Sequence, residues 1–511
     1  MSKYSSPNNA EFLGHPKALF ILFFTEMWER FSFYGMKALL IFYLTKYYLF
    51  SDESGNLLIG SYAALVYAMP VVGGFIADKY LGFRKAIVFG GIMLVLGHLG
   101  MAYEGNGATK SLTGEIIRDD AALQVFYLSL AFIVVGVGFL KANISSLVGE
   151  LYEVGDRRKD SGFTIFYMGI NLGSFLATIV CVWLGETYGW SYGFAAAGIG
   201  MLFGLITFIS GRKLLMGKGE SKVPEYLEQR SFGIKNEYLI YTGSVLSAIL
   251  VWQMVQSHSV VQGLLIGAGA LSFFYIIYYA LTKLDKVAKE RLLALTILII
   301  FTVVFWALFE QAYTSLNLFA DRILDRGGIP AGNFLSLNAL FIIILAPVFA
   351  WLWIKLGKYN PNTAVKFSFA LMLVGLGFGS LVFGIGISGA GKVGMIWLIL
   401  TYFLHTCAEL CLSPVGLSAV TKLSPVKIVG FMMGVWFLAT ASSEFIASIL
   451  ANIASVDTSN ETGIDLGLAK QSYLMLFEYL FYTGIGFGVL LLLLSKFINK
   501  LMHGVDKELN N

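Results

Sequence analysis

Charge is what this chain has least of. Only 13% of its 511 residues are Asp, Glu, Lys or Arg, about half the share in a water-soluble protein. So few charges cannot cover a soluble fold of this length, whereas a surface facing lipid needs almost none. Cysteine is also scarce. Cys181, Cys407 and Cys411 are an odd number, all in apolar stretches, which excludes a disulfide framework and a cysteine metal site. The first apolar run lacks the uncharged core of a cleavable signal, because Glu26, Glu29 and Arg30 lie inside it. A phosphate loop is missing as well. Gly386–Lys392 spells G-x-x-x-x-G-K, but Val393 follows where Ser or Thr would hold magnesium. His98 and His405 stand alone on apolar segments and read as core or cavity-rim histidines. Gly375, Gly377 and Gly379, inside a hydrophobic span, read as close helix packing.

What remains is long and apolar. Hydrophobic residues make up 57% of the chain, and mean hydropathy is +0.73. Runs of about 20 apolar residues mark spanning helices, and about fourteen are expected between residues 17 and 500. The alternate loops that hold Arg84 and Lys85, Arg157 to Lys159, Arg212 and Lys213, and Lys286 and Lys289 are rich in bases. The intervening loops are poor in them. The positive-inside rule then places both termini in the cytoplasm. The long polar stretch near 212–236 divides the chain. The expected organisation is a six-helix bundle (1–212), a linker with an inserted, lipid-facing helix pair (213–290), and a second six-helix bundle (291–511). This layout resembles the major-facilitator fold, an all-α membrane architecture.

Charges inside the spans carry the functional signal. Glu26, Glu29 and Arg30, Tyr34 and Lys37 follow i, i+3/i+4, i+7 spacing and share one face of the first helix. Lys141, Glu310 and Glu409 lie in three other spans. Each such charge costs about 3 kcal/mol at a helix centre, so the seven would cost roughly 20 kcal/mol if unpaired. Three bases against four acids can offset much of that by pairing across a shared cavity. Neutral polar and aromatic residues accompany them: Tyr67, Asn171, Asn338, Ser413 near Glu409, and Trp436. Trp306, Glu310, Tyr313 and Asn317 are expected on one face of the seventh core helix. Aromatic walls with few polar anchors suit a small organic solute better than a bare ion.

Several segments are similar to the motifs of the proton-dependent oligopeptide transporter (POT/PTR) family of the major facilitator superfamily, in its bacterial form. EMWERFSFYG resembles its first-helix ExxERFxYYG element, and GGFIADKYLGFRKAI (73–87) its loop signature. FLKANISSLVGELY (139–152) and FTIFYMGINLGSF (163–175) resemble its fourth and fifth helices. FWALFEQ (305–311), LNALFIIILAPVFAWLW (337–353) and HTCAELCLSPVGLS (405–418) resemble its C-terminal half. The resemblance covers roughly residues 20–440. It implies that Arg30, Lys37 and Lys141 receive a peptide carboxylate, and that Glu409, Asn171 and Asn338 hold the amino terminus. Tyr34 and Tyr67 would contact the backbone, and Trp306 and Trp436 would line side-chain pockets, with Glu310 and Ser413 nearby. Glu26, Glu29, Arg30, Lys141 and Glu310 would couple protons, and Lys37 with Glu310 would form a gate. Four positions depart from the pattern: Lys37 for arginine, Phe33 for tyrosine, Phe309 for a second acid, and Gly60 for the histidine of animal members.

The expected function is proton-coupled import of di- and tripeptides by alternating access across a bacterial inner membrane. A transporter of the same fold with another solute, such as an amino acid or nitrate, is the alternative. No metal or cofactor is expected beyond the coupled proton, and no enzymatic activity. Expected partners are short peptides, protons and the bilayer, with neither nucleic acid nor nucleotide, and the expected working form is a monomer.

Overall fold

The computed structural model describes residues 11–153, 155–456 and 465–505. The chain is almost wholly helical. Its first half holds α1 (Lys17–Phe42), α2 (Asp52–Ile76), α3 (Phe83–Met101), α4 (Asp120–Glu150), α5 (Arg158–Tyr188) and α6 (Trp190–Gly211). A short α7 (Pro224–Glu228) leads into the pair α8 (Asn236–Val255) and α9 (His258–Lys283). The second half holds α10 (Lys286–Phe309), the short α11 (Ser315–Arg322), α12 (Ser336–Leu356), α13 (Thr363–Ile387), α14 (Met395–Leu423), α15 (Val429–Ala451) and α16 (Leu466–Leu501). Among the described residues, 13 spans are long and apolar enough to cross a membrane, with α10 and α11 counted as one. The 26-residue α1 adds another of sufficient length, set apart only by its internal charges.

Side chains start several of these helices. Asp119, Asp285, Asn362 and Asp465 each accept a hydrogen bond from a first-turn N–H of α4, α10, α13 and α16. Such caps satisfy amides that have no partner within the helix.

The chain forms two compact units. One contains the residues up to Leu39 together with Ala68–Gln256; the other contains Leu40–Tyr67 and Ser257 onward. The boundary therefore cuts α1, α2 and the turn between α8 and α9. In the first unit α3 packs along α4 and α6, and in the second α13 packs along α14 and α16. These are the third, fourth and sixth core helices of each half, so the pairing repeats. Glycine makes the contacts possible. A Cβ on Gly90 would lie 2.7 Å from Gly136 O, and one on Gly484 would lie 2.6 Å from Gly375 Cα. The inserted pair is shared between the units: α8 lies along α4, and α9 along α15. Both keep apolar side chains such as Leu250 and Leu271 exposed, as a lipid-facing pair requires.

The seventh core span departs from the continuous helix expected. α10 ends at Phe309, a 3-10 turn covers Glu310–Tyr313, and Thr314 breaks the direction before α11. Gln311 splints the break. Its Nε2 donates to Ala447 O at 2.9 Å and to Ala307 O at 3.3 Å, and Ser315 donates to its Oε1 at 2.6 Å. A 3-10 segment inside a helix commonly marks a hinge.

Candidate functional site

In the first unit the charged face of α1 closes on itself. Arg30 Nε lies 3.2 Å from Glu26 Oε1 and donates to Glu29 Oε2. All three side chains are buried. A lone buried charge is costly, and this arrangement neutralises most of that cost. It also keeps valences open: Glu26 Oε2, Glu29 Oε1 and Arg30 Nη2 have no hydrogen-bond partner among the described residues. The guanidinium lies 5.4 Å from the Phe33 ring centre and 5.9 Å from that of Tyr34. Lys141, half-buried on α4, lies within electrostatic reach of Glu26, Glu29, Arg30 and Lys37. Lys37 is itself buried. The cluster thus holds three bases and two acids.

Small residues on α5 set the position of α1. A Cβ on Gly169 would meet Phe23, and one on Gly173 would lie 2.2 Å from Met27 O and 3.1 Å from Arg30 Cβ. Two turns further, Cys181 fills the space beside Gly35, which agrees with a packing role for that cysteine. Asn171, between those two glycines, is buried and donates to Tyr167 O at 3.1 Å.

In the second unit Tyr67, Trp306, Glu310, Ser413 and Trp436 line one cavity of about 260 Å³. Gly416 makes room for the Trp436 ring, whose Cη2 would lie 2.6 Å from a Cβ there. Buried Glu409 on α14 accepts from Asn338 Nδ2 of α12 at 3.1 Å, and that amide also reaches Thr406 at 3.2 Å. Glu409 lies within electrostatic reach of Glu310. Glu310 lines the cavity, and Glu409 sits one helical turn from Ser413, which lines it too. Tyr313 and Asn317, expected on the same face as Trp306, do not line the cavity. The break at Thr314 ends the helical period on which that expectation rested.

Comparisons with known proteins decide the family. A model of the POT family matches residues 84–467. The chain belongs to the POT family. It is 40% identical to the uncharacterized transporter YclF of Bacillus subtilis over 97% of this chain and 96% of the relative. It is 31% identical to a di-/tripeptide transporter of Lactococcus lactis over 97% of this chain and 98% of the relative. A crystal structure of a peptide transporter POT in complex with sulfate superposes with a TM-score of 0.79 at 36% identity, over 96% of this chain and 97% of that one. The fold is accordingly the major-facilitator fold of POT transporters, and the chain is a multi-pass membrane transporter.

Two departures from the POT pattern have a structural basis. Gly60 faces α15 so closely that a Cβ would lie 2.1 Å from Ser448 Oγ. A histidine therefore does not fit. Phe309 stacks with Phe305 at 5.8 Å and meets Trp306 edge-on at 5.3 Å, so an acid there would be set among rings.

Sequence reasoning missed an ionic cluster in the second unit. Arg322 grips Asp52 through two hydrogen bonds of 2.5 and 2.6 Å, and Asp52 also accepts from Val456 N at 3.0 Å. Asp52 is buried, and the Arg322 side chain is only 5% exposed. Asp321 next door binds Lys46 at 2.8 Å and Arg326 at 3.3 Å. In the sequence these charges look like solvated loop residues. The helix-start position of Asp52 was the one available cue. The G-x-x-x-x-G-K loop also has a definite role: Lys470 donates to Ser388 Oγ, Gly389 O and Gly391 O at 2.5, 2.9 and 2.5 Å. His405 is a core histidine, bonded to Val374 O at 3.1 Å. Among the described residues no group of three His, Cys, Asp or Glu could hold a metal ion.

Proposed function

We propose that this POT-family protein imports di- and tripeptides together with protons across a bacterial inner membrane, with both termini in the cytoplasm. The observation that carries this reading is the sorting of seven intramembrane charges into two clusters of opposite character. The first unit holds Arg30, Lys37 and Lys141 against Glu26 and Glu29; the second holds Glu310 and Glu409. A short peptide is a zwitterion, so a base-rich and an acid-rich cluster suit its two ends regardless of side chains. Arg30 Nη2 supplies the open donor for the carboxylate. Glu409, held by Asn338, supplies the acceptor for the ammonium, with Asn171 as a further polar contact, while Tyr34 and Tyr67 meet the peptide backbone. Trp306, Trp436, Tyr67 and Ser413 form the wall for peptide side chains. The name of the Lactococcus relative supports the substrate class.

Coupling resides in Glu26, Glu29, Arg30 and Lys141 of the first cluster together with Glu310 of the second. Protonating Glu29 neutralises one of the two acids beside Arg30, which releases Lys141 and allows the return step. Lys37 and Glu310 act as a gate that opens and closes with peptide and proton. The driving force is the proton gradient, since a charge moving inward gains about 2.3 kcal/mol per 100 mV. One chain carries both clusters, so a monomer suffices.

The test is uptake of labelled dialanine into proteoliposomes under an imposed inward proton gradient. Accumulation should vanish when the gradient is collapsed; accumulation that persists overturns proton coupling. Amino acids and nitrate should fail to compete where dipeptides succeed. In Glu29→Gln, gradient-driven uptake should be lost while counterflow exchange is kept. Loss of both would assign Glu29 to binding or folding.

A further inference from the structure

The first unit contains a larger cavity, whose lining shares no residue with either charge cluster. It occupies about 570 Å³ in a wedge between α3, α6 and α8. Such a volume suits a small-molecule ligand, and no element among the described residues fills it. We propose that the wedge holds the headgroup and first acyl methylenes of an anionic phospholipid.

The lining is sorted as an amphiphile demands. Arg84 and Lys85 open α3, and Arg212 follows the end of α6. These three bases lie at the end of the unit that the positive-inside distribution assigns to the cytoplasmic headgroup level. One to two turns deeper, α3 presents Val88, Phe89 and Ile92, and α6 presents Phe208 and Ile209. Ile92 and Ile209 are exposed, and the exposed Leu96, Leu99, Phe203 and Ile206 continue the apolar track towards the bilayer centre. Tyr241 of α8 forms the third wall, its ring stacked on Phe89 with centres 5.1 Å apart.

The charge count selects the headgroup. Arg84 pairs with Glu220, and Lys85 pairs with Glu237 at 2.7 Å. Tyr241 donates to the other oxygen of Glu237 at 3.1 Å. Arg212 is exposed and has no carboxylate partner among the described residues. Three bases against two acids leave one positive charge, the complement of a single phosphodiester. Basic pockets between transmembrane helices on the cytoplasmic side are known to suit anionic headgroups. A free phosphate would satisfy Arg212 and leave the apolar walls bare, so a lipid is the occupant that matches both ends of the wedge.

The experiment uses the full-length protein in detergent micelles, with native mass spectrometry as the readout. The probes are phosphatidylglycerol, phosphatidylcholine of the same chains, and inorganic phosphate. Phosphatidylglycerol should be retained in preference to phosphatidylcholine, and inorganic phosphate should not displace it. Arg212→Gln should weaken phosphatidylglycerol retention about fivefold, and Arg212→Lys should restore most of it. Ile92→Trp, which fills the wedge and leaves every charge in place, should also reduce retention. Equal retention of the two lipids, displacement by inorganic phosphate, or unchanged retention in both Arg212→Gln and Ile92→Trp overturns the proposal. Dialanine uptake does not enter the readout, so failure here leaves the transport reading untouched.

Discussion

The two charge clusters solve the burial problem in different ways. In the first unit, Glu26, Glu29 and Arg30 come from adjacent turns of one helix, and the one base pairs with both acids. In the second, Glu310 and Glu409 come from different spans, and Glu409 is held by the neutral amide of Asn338. An intrahelical ion pair is rigid and survives without substrate. An acid bonded to a neutral amide can still accept a hydrogen bond from an incoming cation. The first arrangement suits a switch, and the second suits a receptor for an ammonium.

Arg30→Met should break that contrast with the largest effect. It leaves two buried carboxylates without their base, a change that typically costs 3–5 kcal/mol. The expected outcome is a large fall in melting temperature and loss of all transport, measured by thermal unfolding and counterflow. Adding Glu26→Gln and Glu29→Gln should recover stability and leave transport dead. Failure of that rescue would mean that Arg30 serves packing through Phe33 and Tyr34 and not charge balance.

Asn338→Ala should sharpen the contrast with a middling effect. Hydrogen bonds to charged groups contribute about 1.5–3 kcal/mol, so peptide KM should rise by roughly tenfold or more, with a smaller change in the maximal rate. An equal effect on both would show that the amide positions the helix and not the carboxylate. The smallest effect lies outside both clusters. Hydrogen bonds from Arg158 hold the partly exposed Asp156 carboxyl below the ordinary aspartate value. A depressed folded value adds stability above the unfolded value of about 3.9 and loses it as pH falls further. Asp156→Asn should therefore slightly flatten the acid limb of the stability–pH curve between pH 5 and 3, while the curve at pH 7 to 8 keeps its shape.

The difference between the clusters also sets how much was legible in the sequence. The face of α1 could be read because Glu26 and Arg30 are neighbours by helical spacing alone. The spans could be read because hydropathy and charge distribution act over some twenty residues. The Asn338–Glu409 bond joins α12 to α14, and no local pattern pairs residues 71 positions apart; resemblance alone connected them. The break at Thr314 was illegible for a different reason. The sequence there carries no proline or glycine to mark a break, and the turn is held by Gln311 reaching Ala447 on α15. The Asp52–Arg322 bond likewise needs two segments that only the folded chain brings together. The polar stretch near 212–236 read as a linker, but it is docked. Ser221 donates to Tyr80 O at 2.5 Å, and Gly219 N donates to Glu150 at 2.9 Å.

The joint at Thr314 has one more consequence. Upstream of it lie Trp306 and Glu310, which face the cavity; downstream lie Asp321 and Arg322, which anchor the ionic cluster. A span built as two rods on a pivot lets the far rod swing while the near rod keeps its aim. Natural variation can then retune how firmly the tip is latched and leave the shape of the solute pocket unaltered, a separation that a single unbroken rod would not permit.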